Sequence, residues 1–183
     1  LAFFSYHFYE RHVVGKCLQK PATNLLLNRN AGLGGKLFRQ YFDSFPKQIR
    51  KKILEKAEGE NLEIPQAYKA SLSDKEYKNE EITNTIKRDL KALYLHAYSL
   101  VKLNELAMAQ QDTFLKLYGF ARNISLSSLI VTPFIIFQSI RCFSQNWHWL
   151  VIFPTTGIAM FYVYLKFYRW HTRELFLAYS ELH

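Results

Sequence analysis

Two pairs of an arginine and a histidine have the residue types and spacing that could support catalysis. Six residues separate Arg141 from His148, and seven separate Arg88 from His96. A histidine can transfer a proton near neutral pH and an arginine can hold a phosphate group, so each pair fits phosphodiester cleavage. Seven positions along one helix would bring Arg141 and His148 nearly onto one face.

Other catalytic and cofactor motifs are missing from the sequence. It contains no His-Glu-x-x-His, no cysteine–histidine cluster with metal-ligand spacing and no Gly-x-Ser-x-Gly. The glycine-rich stretch 32–36 (GLGGK) fails as a phosphate-binding loop, because Asn30 and Leu37 replace the required glycine and the serine or threonine. We therefore predict neither a metal site nor a cofactor.

Two uncharged apolar runs near the C-terminus limit where such chemistry could take place. They cover residues 123–140 and 142–165, and only Arg141 separates them. A helix of eighteen residues is about 27 Å long, close to the hydrocarbon thickness of a bilayer. We predict a transmembrane helical hairpin here, with Trp147, His148 and Trp149 at its tip.

The charges predict an orientation for that hairpin. Net charge is +9, and residues 1–123 hold 20 of the 24 lysines and arginines. The flanks of the hairpin are basic, with Lys116 and Arg122 before it and Lys166, Arg169 and Arg173 after it. Because positive loops stay in the cytoplasm, both flanks should be cytoplasmic and the tip outside. Anionic lipid headgroups are the expected contacts of the basic flank, and nucleic acid is the alternative.

The rest of the chain indicates an all-α protein, since glycine and proline are few and strand patterns are weak. We predict a mainly cytoplasmic helical domain at 1–122, the hairpin at 123–165 and a cytoplasmic helix at 166–183. Residues 1–9 are either the end of a preceding spanning helix or an ordinary buried helix start. A capping box at Ser73 predicts a long helix that runs through Gly119 into the first apolar run.

Polar residues within these helices predict contacts between copies of the chain. Asn104 and Gln111 interrupt the heptad-like apolar stripe of the long helix, a position that often fixes oligomer register. Ser125, Ser128, Thr132 and Ser139 share one face of the first run. That face indicates either close helix packing or the wall of a water-filled pore. In the second run, residues 154–157 (PTTG) predict a local break that protein must cover.

This plan of a basic helical part, a membrane segment and an Arg…His pair resembles the membrane accessory proteins of type VI-B CRISPR systems. The spacing of Arg141 and His148 is similar to the Arg-x4–6-His motif of HEPN ribonucleases. The resemblance implies an octameric, pore-like ring in the bacterial inner membrane, which strengthens antiviral defence beside an RNA-guided ribonuclease. In HEPN sites the histidine serves at the RNA 2′-hydroxyl, whereas Arg141 and His148 here belong to the predicted outer tip of the hairpin, away from cytoplasmic RNA.

Three hypotheses follow from the sequence. The first is a homo-oligomeric inner-membrane pore, with most of the chain cytoplasmic. The second is a membrane-tethered HEPN-like ribonuclease that acts on RNA through one of the Arg…His pairs. The third is a membrane-anchored scaffold whose basic face recruits a partner.

Overall fold

The structure, a computed structural model, describes residues 20–27, 41, 43–60, 62, 84–141 and 143–182. Within these ranges the side chains of residues 84, 85, 87, 106, 139–141 and 143–146 are not part of the description. The described residues are 90% helical and include no strand, which confirms the all-α class. The predictions for residues 1–9, the glycine-rich stretch and the capping box at Ser73 lie outside the described residues.

Five helices make up the described part of the chain. They are α1 (Pro21–Leu26), α2 (Lys47–Gly59), α3 (Asn84–Val101), α4 (Glu105–Arg141) and α5 (Phe143–Glu181). At about 1.5 Å per residue, α4 with 37 residues and α5 with 39 residues are each longer than 50 Å. These two helices contain the predicted apolar runs, so the expected pair of long C-terminal helices is present.

The chain divides into two compact units. The hairpin unit contains residues 114–141 of α4 and 143–168 of α5. The bundle unit contains the described residues from 20 to 113 and those from 169 to 182. The hairpin unit thus extends beyond the predicted segment 123–165 at both ends.

The bundle unit has a hydrophobic core. Side chains that are at most 2% exposed come from four of its helices: Leu25 and Leu26 of α1, Ile53 and Ala57 of α2, Leu90, Ala97 and Val101 of α3, and Leu175 and Phe176 of α5. On α3 the buried positions recur every three or four residues, as expected for a helix with one face in the core. Helix α2 is also amphipathic, because Lys51 and Lys52 remain exposed while Ile53 and Ala57 are buried.

The predicted long helix is interrupted near residue 103, so its expected continuity from Ser73 is wrong. Helix α3 ends at Val101. The amides of Leu103 and Asn104 donate 3₁₀-type hydrogen bonds to the carbonyls three residues earlier, which tightens the last turn. The side chain of Asn104 then caps α4, since its Oδ1 accepts from the amide of Ala107 at 3.2 Å. From Glu105 onward the helix does pass through Gly119 into the first apolar run, as predicted.

The predicted break at residues 154–157 is also wrong, because α5 is helical throughout this stretch. A proline within a helix removes one backbone bond and often bends the helix, but it does not have to end it. The same holds for Pro133, which lies inside α4. The backbone at Gly157 is therefore ordinary helix, and the absence of a side chain there makes room for Ser128 of α4.

Candidate functional site

The two helices of the hairpin unit form an antiparallel pair. Phe114 faces Phe167 with ring centroids 6.4 Å apart, and Tyr118 faces Tyr164 at 6.1 Å. Further along α4, Ser125 contacts α5 at Gly157. Contacts that advance along α4 thus move backward along α5, which is the arrangement expected for a hairpin.

Both helices are long and apolar enough to cross a membrane by length and composition. The candidate spans cover Ala107–Gln138 and Trp147–Glu181, and only 28% and 17% of their most apolar windows are buried within the chain. Many large apolar side chains of the pair are exposed: Leu129, Ile130, Phe134, Ile136, Phe137, Val151, Ile152, Ile158 and Tyr162. A helix of a soluble core passes the same length test but is mostly buried, whereas only a minority of the residues in these two windows is buried.

A seam of small residues joins the two helices. Ser125 is fully buried, and its Oγ donates to the carbonyl oxygen of Gly157 at 2.8 Å. A Cβ added at Gly157 would lie 3.3 Å from the Cβ of Ser128 and 3.6 Å from the carbonyl oxygen of Ser125. Gly157 therefore permits a close approach, which is how membrane helices commonly associate.

The serine and threonine face predicted from the sequence lies partly in this seam. Ser125 and Ser128 are buried, and the Thr132 hydroxyl donates to the carbonyl of Ser128 at 2.7 Å, within its own helix. The side chain of Ser139 lies outside the described residues. Three of these residues thus have partners within the chain, and a pore wall made by this face stays a prediction.

Arg141 and His148, the first candidate catalytic pair, lie on two different helices at the tip of the hairpin. Arg141 is the last residue of α4, whereas His148 lies in the second turn of α5. The argument that placed both on one helix face therefore does not apply. His148 stands between Trp147 and Trp149, with ring centroids 6.3 Å and 5.0 Å away. A catalytic role for Arg141 and His148 stays a prediction, as the side chain of Arg141 is not described.

The second predicted histidine belongs to a polar cluster that joins three helices of the bundle unit. His96 Nε2 on α3 lies 2.8 Å from Glu60 Oε2, just after α2, and the Tyr179 hydroxyl of α5 donates to the same oxygen at 2.6 Å. Lys56 Nζ lies 5.0 Å from the centre of the Tyr179 ring and donates to the carbonyl of Leu182. One carboxylate thus holds α3 and the end of α5 to α2.

The charges of this cluster favour a structural link. Burial raises the pKa of Glu60, but the hydrogen bonds from Tyr179 and His96 and the nearby charges of His96 and Lys56 outweigh it, so this pKa lies below its ordinary 4.5. Burial, together with the bond to Glu60, raises the pKa of Tyr179, so its phenol stays protonated. The ionised Glu60 carboxylate thus accepts a hydrogen bond from the protonated phenol of Tyr179.

Arg88 does not complete a compact site with His96. They are eight positions apart on α3, a rise of about 12 Å, and the Arg88 side chain is 81% exposed with its Nε 3.6 Å from Asp89 Oδ1. A carboxylate beside an imidazole can orient a general base, so His96 has part of a catalytic arrangement. Catalysis by Arg88 and His96 stays a prediction.

Gln111 forms a second polar link, between α4 and α5 inside the bundle unit. It is 1% exposed. In one orientation of the side-chain amide, the nitrogen donates to the carbonyl oxygen of His171 at 3.2 Å and the oxygen accepts from the backbone amide of Leu175 at 3.1 Å. In that orientation the same nitrogen lies 3.0 Å from His171 Nε2, which must then accept. Burial lowers the pKa of His171 to about 4, so this imidazole is neutral at pH 7.

The two residues predicted to set oligomer register therefore have roles within one chain. Asn104 caps α4, and Gln111 binds α5. Both also line an open cavity of about 510 Å³ in the bundle unit, beside the carboxylates of Glu174 and Glu181. Whether either residue also contacts another copy stays a prediction.

The three basic residues predicted at the membrane surface differ in their surroundings. Lys166 and Arg173 are exposed. Arg169 is half-buried, and its guanidinium donates to the carbonyl oxygen of Asp43 at 2.8 Å. Arg169 thus ties α5 to the segment before α2.

Sequence reasoning missed Glu60, Tyr179 and His171. The three are far apart in the sequence, and their links depend on how α2, α3 and α5 pack. The capping role of Asn104 could have been predicted, since an Asn followed by a Glu is common at the start of a helix. No metal-binding group of three or more His, Cys, Asp or Glu occurs among the described residues.

No protein-family model, curated protein or solved structure matches this chain. The functional assignment consequently depends on the geometry of its own residues. Those residues establish a helical protein with two candidate membrane-spanning helices, which pair through a small-residue seam.

Proposed function

We propose that this protein is an integral membrane protein that anchors a basic helical bundle at the bilayer, where the bundle recruits a negatively charged partner. The observation that carries the proposal is the surface of the hairpin unit. Its helices contact each other through Ser125 and Gly157, while large side chains such as Phe134 (71% exposed) and Ile158 (68% exposed) point away from the chain. Lipid is the solvent that fits such a surface.

The bundle unit supplies the recruiting surface in this proposal. Lys51 and Lys52 on α2, Arg88 and Lys91 on α3, and Arg173 on α5 are exposed. Residues 18–113 and 169–183, which make up this unit, hold 18 lysines and arginines against 14 acidic residues, so its net charge is +4. An acidic protein surface, an RNA or anionic headgroups would be attracted to its exposed cations. In bacteria the anchor would lie in the inner membrane, with this unit on the cytoplasmic side.

Insertion is tested by placing lysines on the exposed apolar face. The double variant Phe134→Lys/Ile158→Lys should lose membrane insertion, because a charge near the bilayer centre costs about 3 kcal/mol at each position. The matched control is Leu95→Lys/Leu103→Lys, since those leucines are 53% and 82% exposed in the bundle unit. The measurement is resistance to alkaline extraction from isolated membranes. Equal extraction of wild type and both variants would contradict the proposal.

Orientation is tested with the cysteine at the tip. In a Cys17→Ser background, Cys142 should react with a membrane-impermeant maleimide added to intact cells. A cysteine placed at Arg173, with Cys142→Ser, should react only after the cells are opened. The opposite pattern would reverse the proposed orientation.

Assembly into a pore is a second proposal, drawn from the resemblance to type VI-B CRISPR accessory proteins. It needs several copies, eight in that family, and a polar wall other than the Ser125–Ser128 seam. Its support is the apolar surface of the hairpin unit, which neighbouring copies could cover as well as lipid. Dye release from liposomes that contain the purified protein, together with particle mass in detergent, would separate the two proposals. A monomer in sealed liposomes would remove the pore.

The same resemblance supplies a specific partner to test. Expression of the protein beside a type VI-B RNA-guided ribonuclease should lower phage titre more than the ribonuclease alone. The variants His96→Ala and His148→Ala test the ribonuclease alternative in the same assay. Full protection by both variants would exclude nuclease chemistry at these histidines.

A further inference from the structure

Two groups of aromatic side chains lie at opposite ends of the hairpin unit. At the tip, Trp147, His148, Trp149 and Phe153 form an unbroken series of ring contacts, the last with centroids 5.7 Å apart. Trp147 is 56% exposed and Trp149 is 43% exposed. We call this group the tryptophan belt.

The second group joins the two helices at the other end. Tyr118 of α4 lies 6.1 Å from Tyr164 and 5.4 Å from Tyr168, and these two tyrosines stack on each other at 5.8 Å. Tyr164 is fully buried between the helices, and the guanidinium of Arg122, a residue that is 8% exposed, lies 5.9 Å from the Tyr118 ring. Lys166, two residues after Tyr164, is exposed. We call these tyrosines the tyrosine belt.

The length of helix between the belts matches the hydrocarbon layer of a bilayer. From Trp149 to Tyr164 and Tyr168, α5 rises by about 22 and 28 Å. On α4, the distance from Arg122 to Arg141 at the helix end is about 28 Å. Residues 123–138 and 150–165 between these limits carry no charge. Both helices thus give nearly the same thickness, close to the 30 Å of a typical hydrocarbon core.

We propose that the two belts lie at the two headgroup interfaces and fix the depth of the hairpin in the membrane. Tryptophan and tyrosine favour this region because one end of each ring system is apolar and the other can bond to water. Ile158 then lies near the bilayer centre, against lipid chains. At the tyrosine belt the partly exposed rings of Tyr118 and Tyr168 and the exposed Lys166 then lie at the anionic headgroups of the cytoplasmic side. This inference depends on the membrane insertion proposed above.

The test measures the depth of single tryptophans in vesicles of phosphatidylcholine brominated at shallow or deep positions of the acyl chain. The first variant, Trp147→Phe/Trp170→Phe, keeps only Trp149, because the chain has three tryptophans. The second has all three tryptophans replaced by Phe and carries Ile158→Trp. The third has the same replacements and carries Tyr168→Trp. Shallow bromines should quench the first and third variants most, and deep bromines should quench the second most.

Flotation of the vesicles separates the possible failures. Protein that does not float with them overturns both membrane insertion and this inference. Protein that floats, but whose Trp149 is quenched most by deep bromines, overturns the belts alone. If the protein floats but the tryptophan at position 158 is quenched by neither set of bromines, a second copy covers that position. This result would overturn the claim that Ile158 lies against lipid chains.

Discussion

The bundle unit and the hairpin unit are both built from helices, but they bury different residues. In the bundle unit large side chains such as Phe176 and Leu26 are inaccessible, and polar clusters around Glu60 and Gln111 join the helices. In the hairpin unit the contact surface is small and partly polar at Ser125 and Gly157, while Phe134 and Ile158 are exposed.

The difference is the one expected if, as proposed, water surrounds the bundle unit and lipid surrounds the hairpin unit. Water drives large apolar groups into a core, so a unit in water should hide them. Lipid provides no such force between helices, so close approach and hydrogen bonds must hold a helix pair together. Each of the following predictions tests one side of this contrast through the free energy of unfolding in mild detergent.

The largest expected effect comes from removing a buried phenylalanine of the bundle unit, compared with an exposed phenylalanine of the hairpin unit. Phe176→Ala should lower the free energy of unfolding by about 3–5 kcal/mol, because Phe176 is fully buried beside Tyr94 with ring centroids 6.3 Å apart. Phe134→Ala is the matched change at a residue that is 71% exposed, and it should change the value by less than about 1 kcal/mol. Similar losses in both variants would contradict the two-solvent interpretation.

The next effect is the pH dependence of the bundle unit through His171. The pKa of His171 is lowered from 6.5 to about 4 by burial, so between these values the unfolded chain binds a proton that the folded chain does not. Stability should therefore fall as the pH drops from 6.5 toward 4, by about 2–3 kcal/mol.

The variant His171→Gln isolates that contribution. It cannot titrate, yet its side-chain oxygen can still accept from Gln111. Unfolding measured at pH 7 and at pH 4.5 should show a smaller loss in the variant than in wild type. An equal loss in both proteins would mean that His171 already carries a proton in the folded state.

A smaller effect is expected at the close approach of the hairpin. Gly157→Leu should destabilise the helix pair by about 1–3 kcal/mol, because its Cβ would already lie 3.3 Å from the Cβ of Ser128. Gly119→Leu is the control, since a Cβ there meets nothing within 4 Å. If both glycines accept leucine equally well, the seam does not hold the hairpin.

The smallest effect is the loss of one hydrogen bond in the seam. Ser125→Ala removes the bond to the Gly157 carbonyl and should cost about 0.6 kcal/mol, the average for such bonds between membrane helices. Ser127→Ala is the control, because the Ser127 hydroxyl donates to Asn123 within its own helix at 2.8 Å. A larger loss for Ser127→Ala than for Ser125→Ala would contradict the assigned roles.

The fold could be predicted from the sequence where a pattern is local. The uncharged runs predicted α4 and α5, and the apolar period of residues 86–97 predicted the buried face of α3. The turn between α3 and α4 was missed because neither glycine nor proline marks it, and Leu103 reads as a core residue although it is 82% exposed.

The candidate site was harder to predict because its contacts join distant segments. Glu60 and Tyr179 are 119 residues apart, and no spacing rule connects them. The sequence predicted a helix break at Gly157, whereas in the structure this glycine lets Ser128 of the other helix come close. The serine face could be found from helical spacing, but spacing alone does not distinguish a partner helix from water.

Pro154 has a consequence for hydration. A proline has no amide hydrogen, so the carbonyl of Leu150, four residues earlier, loses its usual helical donor. On the proposed depth scale Leu150 adjoins Trp149 at the headgroup level, where water molecules can reach that oxygen. The carbonyl that lacks its donor therefore lies within one helical turn of the aqueous boundary, where water replaces the missing backbone bond at little energetic cost.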